Sequence, residues 1–208
     1  MRIGVLGTGM VGQHLAARLA ELGHEVTIGT RDPTQGKASA TPVRVVAFAQ
    51  SAGAAELVIN ATAGSASLAA LELAGAANLR GKVLLDLANP LDFSTGQLRL
   101  TVVNTDSLGE SIQRAYPDAR VVKALNMVNL DVMTHPDRLA EETSTFVAGD
   151  DGEAKASVAD LLRSFGWRSI VDLGGISAAR GMEMYLPLWL SLMSAQGTPQ
   201  FNIKIVHG

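Results

Sequence analysis

The chain opens with an apolar run, a glycine turn, an amphipathic helix and a second apolar run, with nothing between them. "RIGVLG" reads as a strand, "MVGQHLAARLAEL" as a helix and "EVTIG" as the next strand. In the helix, Val11, Leu15, Leu19 and Leu22 recur at spacings of four, four and three and line one face, while Gln13, Arg18 and Glu21 fall elsewhere on the wheel. Between strand and helix, Gly7-Thr8-Gly9-Met10-Val11-Gly12 fits the pattern G-x-G-x-x-G. The pattern alone is weak, but here it follows a strand, opens a helix and sits in a strand-helix-strand unit of about 30 residues. Gly7 permits the tight turn, Gly9 lets a pyrophosphate approach the backbone, and Gly12 lets helix pack on strand. The helix N-terminus offers unpaired N–H groups to the anion. A dinucleotide is the expected ligand; a glycine-rich turn that holds nothing is the alternative.

The residues after the second strand bear on which dinucleotide. Binders of NAD usually place an Asp or Glu about 20 residues past the turn, where it holds the ribose 2'-hydroxyl and repels a 2'-phosphate. Counting on from Gly9, that place is Gly29. Thr30 and Arg31 follow, a hydroxyl and a guanidinium fork suited to a phosphate monoester. The combination favours NADP(H) over NAD(H). Asp32 is acidic and close by, and its simplest role is to begin a turn whose backbone Pro33 restricts. Lys37 is a further candidate cation for the phosphate, set against the plainer reading of a solvated lysine.

The alternation continues through "VRVV", "ELVINAT", "KVLLDLA" and "RVVKALN", with helical segments "SLAALELAGAA" and "SLGESIQRAY" between them. Runs of Val, Ile and Leu buried on both faces mark parallel strands, and the helices make the crossovers. The expected fold is α/β: a doubly wound, mostly parallel sheet of the Rossmann kind, with a small C-terminal α/β extension packed on it. Residues 1–125 would form the dinucleotide-binding domain, and residues 126–208 would complete the sheet, the substrate pocket and a dimer interface. In that second part "TSTFVAGD" and "RSIVDLG" read as strands around a helix that Asp150 or Asp151 could cap. A last helix is expected around "GMEMYLPLWLSLMSA", then a half-buried strand in "FNIKIV", where Phe201, Ile203 and Ile205 alternate with Asn202 and Lys204.

Ligands of such sheets lie beyond the carboxyl ends of the strands. The turns there read Asn60-Ala61-Thr62, Asp86-Leu87-Ala88-Asn89-Pro90 and Lys123-Ala124-Leu125-Asn126. Small Ala61, Ala88 and Ala124 leave room for a flat ring, with Thr62 beside the first of them. Asn89 and Asn126 are candidate ring-positioning residues, able to hydrogen-bond a carboxamide or a substrate carbonyl; equally, they could simply tie loops together. Lys123 is expected to reach solvent or to pair with a carboxylate. Tyr185 and Trp189 read as core, on a helix that could also serve a dimer.

Other chemistries are disfavoured. The chain has no cysteine, which removes disulfides and thiolate metal sites and fits a reducing cytoplasm. His14, His24, His135 and His207 lack metal-ligand spacing. "AGSAS" lacks the second glycine of a nucleophile elbow, and "GDDGE" lacks the alternating ligands of a calcium loop. A net charge of -3 without clustered Lys and Arg gives no reason to expect nucleic acid. "MYLPLWLSLM" is too short for a membrane span and contains Pro187.

Four pieces carry a family resemblance: "IGVLGTGMVGQHLAARLAELGHEVTIGTRDP", "LLDLANPL", "RVVKALNMVNLDVM" and "ISAARGMEMYLPLWLSLMSAQGTPQFNIKIV". The chain resembles, over almost its whole length, the NADPH-dependent F420 reductases, together with the reductase module of the STEAP metalloreductases. The resemblance implies a cytoplasmic, homodimeric NADP-dependent oxidoreductase that moves a hydride between NADP(H) and the deazaflavin of coenzyme F420. It implies that NADP lies on the glycine turn with its 2'-phosphate on a pair like Thr30-Arg31, and that the deazaflavin binds between the main domain and the C-terminal part. Archaeal members carry a His where this chain has Asn126, so the second substrate stays open. The alternatives are another acceptor (a flavin, a ferric chelate or a small carbonyl compound) and an NADP-binding sensor without turnover.

Overall fold

The computed structural model describes residues 1–34 and 43–208. The first half runs β1 (Arg2–Leu6), α1 (Met10–Glu21), β2 (Glu25–Thr30), β3 (Arg44–Ala47), α2 (Phe48–Ala54), β4 (Leu57–Asn60), α3 (Ser67–Ala74), α4 (Ala76–Leu79) and β5 (Val83–Asp86). Two short strands, β6 (Leu91–Asp92) and β7 (Arg99–Leu100), pair as a separate ribbon. Then come α5 (Leu108–Ala115), β8 (Arg120–Ala124), α6 (Leu130–Thr134), β9 (Ser144–Ala148), α7 (Gly152–Phe165), β10 (Ser169–Asp172), α8 (Ala179–Met184) and α9 (Leu186–Gln196). Eight strands form one sheet in the order β10-β9-β8-β5-β4-β1-β2-β3. Every pairing in it is parallel except β8 with β9. The doubly wound, mostly parallel fold expected from the apolar runs is the one observed.

The strands read as continuous apolar runs because both faces are covered. Ile3, Val5, Leu57, Ile59 and Leu85 pack on one face with Leu15 and Leu19 of α1 and Val158 and Leu162 of α7. Leu6, Val58, Leu84 and Val121 point to the other, against Phe48 of α2, Leu71 of α3 and Ile112 of α5. The alternation is the period of two that a strand imposes. Chain order reverses at β1, which lies between β2 and β4, so the crevice above β1 and β4 is the switch point where such sheets bind ligands.

Asp151 caps α7, its carboxylate accepting from the N–H of Ala154 at 2.7 Å. Two expectations for the C-terminal part need correction. The single last helix is two, α8 and α9, meeting at Tyr185. Pro187 is the reason: it has no N–H for the Glu183 carbonyl and is tolerated only in a first turn, so a new helix begins there. "FNIKIV" forms no strand. It lies along the start of β9, where Ser144 N–H donates to the Ile203 carbonyl at 2.9 Å. However, the Asn202 side chain takes the Ser144 carbonyl at 2.9 Å, the acceptor a ladder would need. No helix among the described residues is long and apolar enough to cross a membrane.

Candidate functional site

Each glycine of the turn has a distinct steric reason. Gly7 has φ 120°, and a Cβ there would lie 2.7 Å from the Ala61 carbonyl oxygen, so the β1 turn and the β4 turn touch through backbone. A Cβ on Gly12 would meet the Gly7 carbonyl oxygen at 2.2 Å, which fixes how closely α1 sits on the turn. At Gly9 a Cβ would meet nothing within 4 Å: that side of the turn is open. Among the described residues no side chain caps α1, so its first N–H groups are left without a side-chain acceptor, and its N-cap Gly9 lies at the opening. Met10 is 79% exposed at the rim and Val11 packs half-buried against the core.

The opening is a cavity of about 430 Å³. Of the residues singled out from sequence, Gly7, Thr8, Gly9, Thr30, Arg31, Ala61 and Thr62 line it, with Phe48 and Leu73 adding an apolar wall. Thr30 is half-buried and Arg31 exposed, both at the carboxyl end of β2. Asp32 also lines the cavity, and its Oδ1 accepts from the N–H of Thr34 at 2.9 Å and the Thr34 hydroxyl at 2.6 Å, an Asx turn. A side chain at position 29 has no room: a Cβ there would lie 2.8 Å from Leu6 Cδ2 and 3.1 Å from Phe48 Cδ1. Lys37 lies outside the described residues.

Across the crevice the strand ends are joined by buried polar groups. Asn60, fully buried, donates through Nδ2 to Asp86 Oδ1 at 2.8 Å and to the Ser67 hydroxyl at 3.0 Å, and its Oδ1 accepts from the Thr62 hydroxyl at 2.7 Å. Asp86 Oδ1 also accepts from the N–H of Ala88 at 3.2 Å. Lys123, wholly buried, reaches Asp86 Oδ2 at 2.9 Å, Glu183 Oε1 at 2.7 Å and the carbonyl of Ala88. Burial pulls its ammonium down, but the two carboxylates outweigh burial and hold its pKa above the ordinary lysine value. Glu183 in turn accepts from the N–H groups of Leu108 and Gly109, at 2.8 and 3.0 Å, at the start of α5. Sequence reading paired Lys123 with one carboxylate as one of two options; that Glu183 joins it from 60 residues away had no local signal.

Asn89 and Asn126 do pair, but with each other. Asn126 Nδ2 donates to Asn89 Oδ1 at 2.9 Å, and Asn89 Nδ2 donates to the Asn126 carbonyl at 2.9 Å. Asn126 Nδ2 also reaches the carbonyl of Met182 in α8 at 3.1 Å, while its Oδ1 is buried with no partner among the described residues. Leu125, 2% exposed, holds a left-handed φ of 59°, a strained turn for a branched side chain that directs Asn126 back toward Asn89. The space bounded by Asn126, Met182 and Asn202 is only about 10 Å³, room for one water. Ala88 and Ala124 are buried in the core, at 4% and 0% exposure, and only Ala61 of the three small residues reaches the cavity.

His14 Nε2 and His135 Nδ1 lie 2.8 and 3.0 Å from the Thr134 hydroxyl, tying α1 to α6. Burial, then Arg18 and Arg138, push the His135 pKa down. Among the described residues no group of three or more His, Cys, Asp or Glu is arranged to hold a metal ion.

Residues 2–90 match the family model described as NADP oxidoreductase, coenzyme F420-dependent. The chain is 30% identical to the F420-dependent NADP reductase of Methanothermobacter marburgensis, with 100% of this chain and 99% of that one aligned. It is 28% identical to rat metalloreductase STEAP3 over 90% of its own length but spans only 38% of that protein. A crystal structure from Arthrobacter sp. FB24, assigned to the F420-dependent NADP reductases, superposes with a TM-score of 0.97 at 53% identity, covering 100% of both chains.

Proposed function

The chain belongs to the family of F420-dependent NADP reductases, and from that premise we propose that it transfers a hydride between NADP(H) and coenzyme F420. The observation that carries this reading is the open glycine turn at the switch point with Thr30 and Arg31 at one end of the same cavity. The residues fit the dinucleotide. Bare N–H groups of α1 and the open side of Gly9 suit a pyrophosphate, and a hydroxyl beside a guanidinium suits a 2'-phosphate. The closed space at Gly29, where binders of the unphosphorylated dinucleotide keep an acid, points the same way.

When bound, NADPH supplies the hydride and the deazaflavin accepts it, so the chain's own share is to bind, align and exclude water. Gly7, Thr8, Gly9, Met10, Val11 and Gly12 would hold the pyrophosphate, and Thr30, Arg31 and Lys37 the 2'-phosphate. Ala61 and Thr62 would lie along the nicotinamide side, and the Asn89-Asn126 pair would set the floor on which the second ring rests. Ala124, enclosed in the core, would act only as the spacer beneath that pair. The division at residues 125 and 126 is proposed as functional: the N-terminal part holds the dinucleotide, and the C-terminal part closes the second substrate's side. We place the protein in the cytoplasm as a homodimer. Its lack of cysteine suits the first, and the bare apolar side of α9 the second.

The test is spectroscopic. Purified protein with NADPH and oxidised F420 is expected to bleach the deazaflavin absorbance, and NADH to do so far more slowly. Reduction of free flavin or ferric citrate by NADPH, with F420 untouched, refutes F420 as the acceptor. Tight NADP+ binding with no acceptor reduced refutes catalysis altogether.

A further inference from the structure

We infer that Lys123 is a positioning residue that sets the relative placement of the two substrate rings; the inference rests on the reading just proposed. Its ammonium sits where the loops following β4, β5 and β8 meet the C-terminal helices. Each of its contacts serves a different part of the site. Through Asp86 it is joined to Asn60, whose Oδ1 holds the Thr62 hydroxyl on the cavity wall. Both backbone polar groups of Ala88 are gripped, the N–H by Asp86 and the carbonyl by Lys123, immediately before Asn89. Through Glu183 it fixes α8, whose Met182 carbonyl receives Asn126. The cavity wall, the asparagine pair and the C-terminal part are thus referred to one buried charge.

Stability alone gives a weaker account of this arrangement. Burying an ammonium and two carboxylates costs desolvation that their attraction roughly repays, and a well-packed apolar side chain in such a place is often as stable. What the apolar side chain would not supply is a fixed register among three loops. The β4 and β5 loops are already in hard contact, since a Cβ on Gly64 would lie 2.0 Å from the Asn89 carbonyl oxygen. A small tilt of the residue 88 backbone is therefore transmitted to Asn89 and to the β4 loop together. Hydride transfer falls steeply with misalignment, so such a tilt affects the chemical step before it affects binding of either substrate.

The experiment uses the full chain and begins with the wild type, whose failure to reduce F420 with NADPH sinks the functional reading itself. Given an active wild type, Lys123→Met is compared with it. Lys123→Met/Glu183→Gln, which removes one of the two carboxylates left uncompensated, serves if the single variant does not fold. NADP+ affinity is measured by calorimetry and hydride transfer by stopped-flow single turnover. The expected result is NADP+ affinity within about threefold of wild type and transfer slowed about 30-fold or more, in line with the cost of small misplacements in aligned sites. A folded variant that transfers hydride at the wild-type rate overturns the inference. So does one whose rate loss is matched by an equal loss of NADP+ affinity, since general loosening then explains both.

Discussion

Arg31 is the residue on which the proposed preference for NADP(H) rests. It is exposed, lines the cavity beside Thr30, and its neighbour Asp32 is engaged by the backbone and hydroxyl of Thr34. Arg31→Ala is expected to raise KM for NADPH about 10- to 100-fold, the range for losing a charged hydrogen-bonding partner, and to leave that for NADH nearly unchanged. Steady-state kinetics with both dinucleotides check this; equal losses would remove Arg31 from the 2'-phosphate. At this scale the sequence was informative where a residue's role is local. Gly12 packs on Gly7 five positions away, and Thr30 and Arg31 line one cavity from adjacent positions, so their spacing carries a signal. Lys123, Asn89 and Asn126 act through residues 35 to 60 positions distant, and spacing carries no trace of such partners.

At the level of elements, the strands and their crossover helices were legible because burial on both faces leaves a strong apolar signature. The C-terminal elements were less so, since one missing N–H at Pro187 and one diverted carbonyl at Ser144 decide their form. What docks α8 is also polar. Arg180 donates to Glu110 from Nε at 2.9 Å and from Nη2 at 2.5 Å, and at the start of α5 the Ser107 hydroxyl donates to Glu110 Oε2 at 2.8 Å while accepting from the Glu110 N–H at 3.1 Å. The Arg180 bond, outweighing burial, holds the Glu110 carboxyl below its ordinary value of 4.5. A depressed folded pKa means that the contribution is complete above about pH 4.5 and is lost as pH falls through the lower folded value. Glu110→Gln is therefore expected to lower Tm by a few degrees near neutrality and to flatten its decline in acid. Thermal melts across pH check it, and coincident curves for wild type and variant would show that the pair contributes nothing.

For the whole molecule, α9 poses the question of what covers it. The segment from Met184 to Phe201 has no charged residue, yet within α9 only Leu186 is buried, and Leu188 is 55% exposed. Met184 lies one turn before Leu188, and its sulfur accepts from the N–H of Asn104, which brings exposed Val103 alongside. A helix of this length is too small for a stable interface of about 800 Å² per partner, but the helix with this flank extends the apolar face in that direction. A charge-free face can meet its own copy across a two-fold axis without like-charge repulsion. Two buried donors of the segment, Tyr185 OH and Trp189 Nε1, also lack partners among the described residues. Light scattering on the wild type is expected to give about twice the 21.7 kDa chain mass. Leu188→Glu, which places a carboxylate at the centre of the joined faces, is expected to give monomers that still bind NADP+, since the glycine-turn cavity has no lining residue from α9. A monomeric wild type at tens of micromolar, or a variant that remains paired, would show that α9 is not where two copies meet.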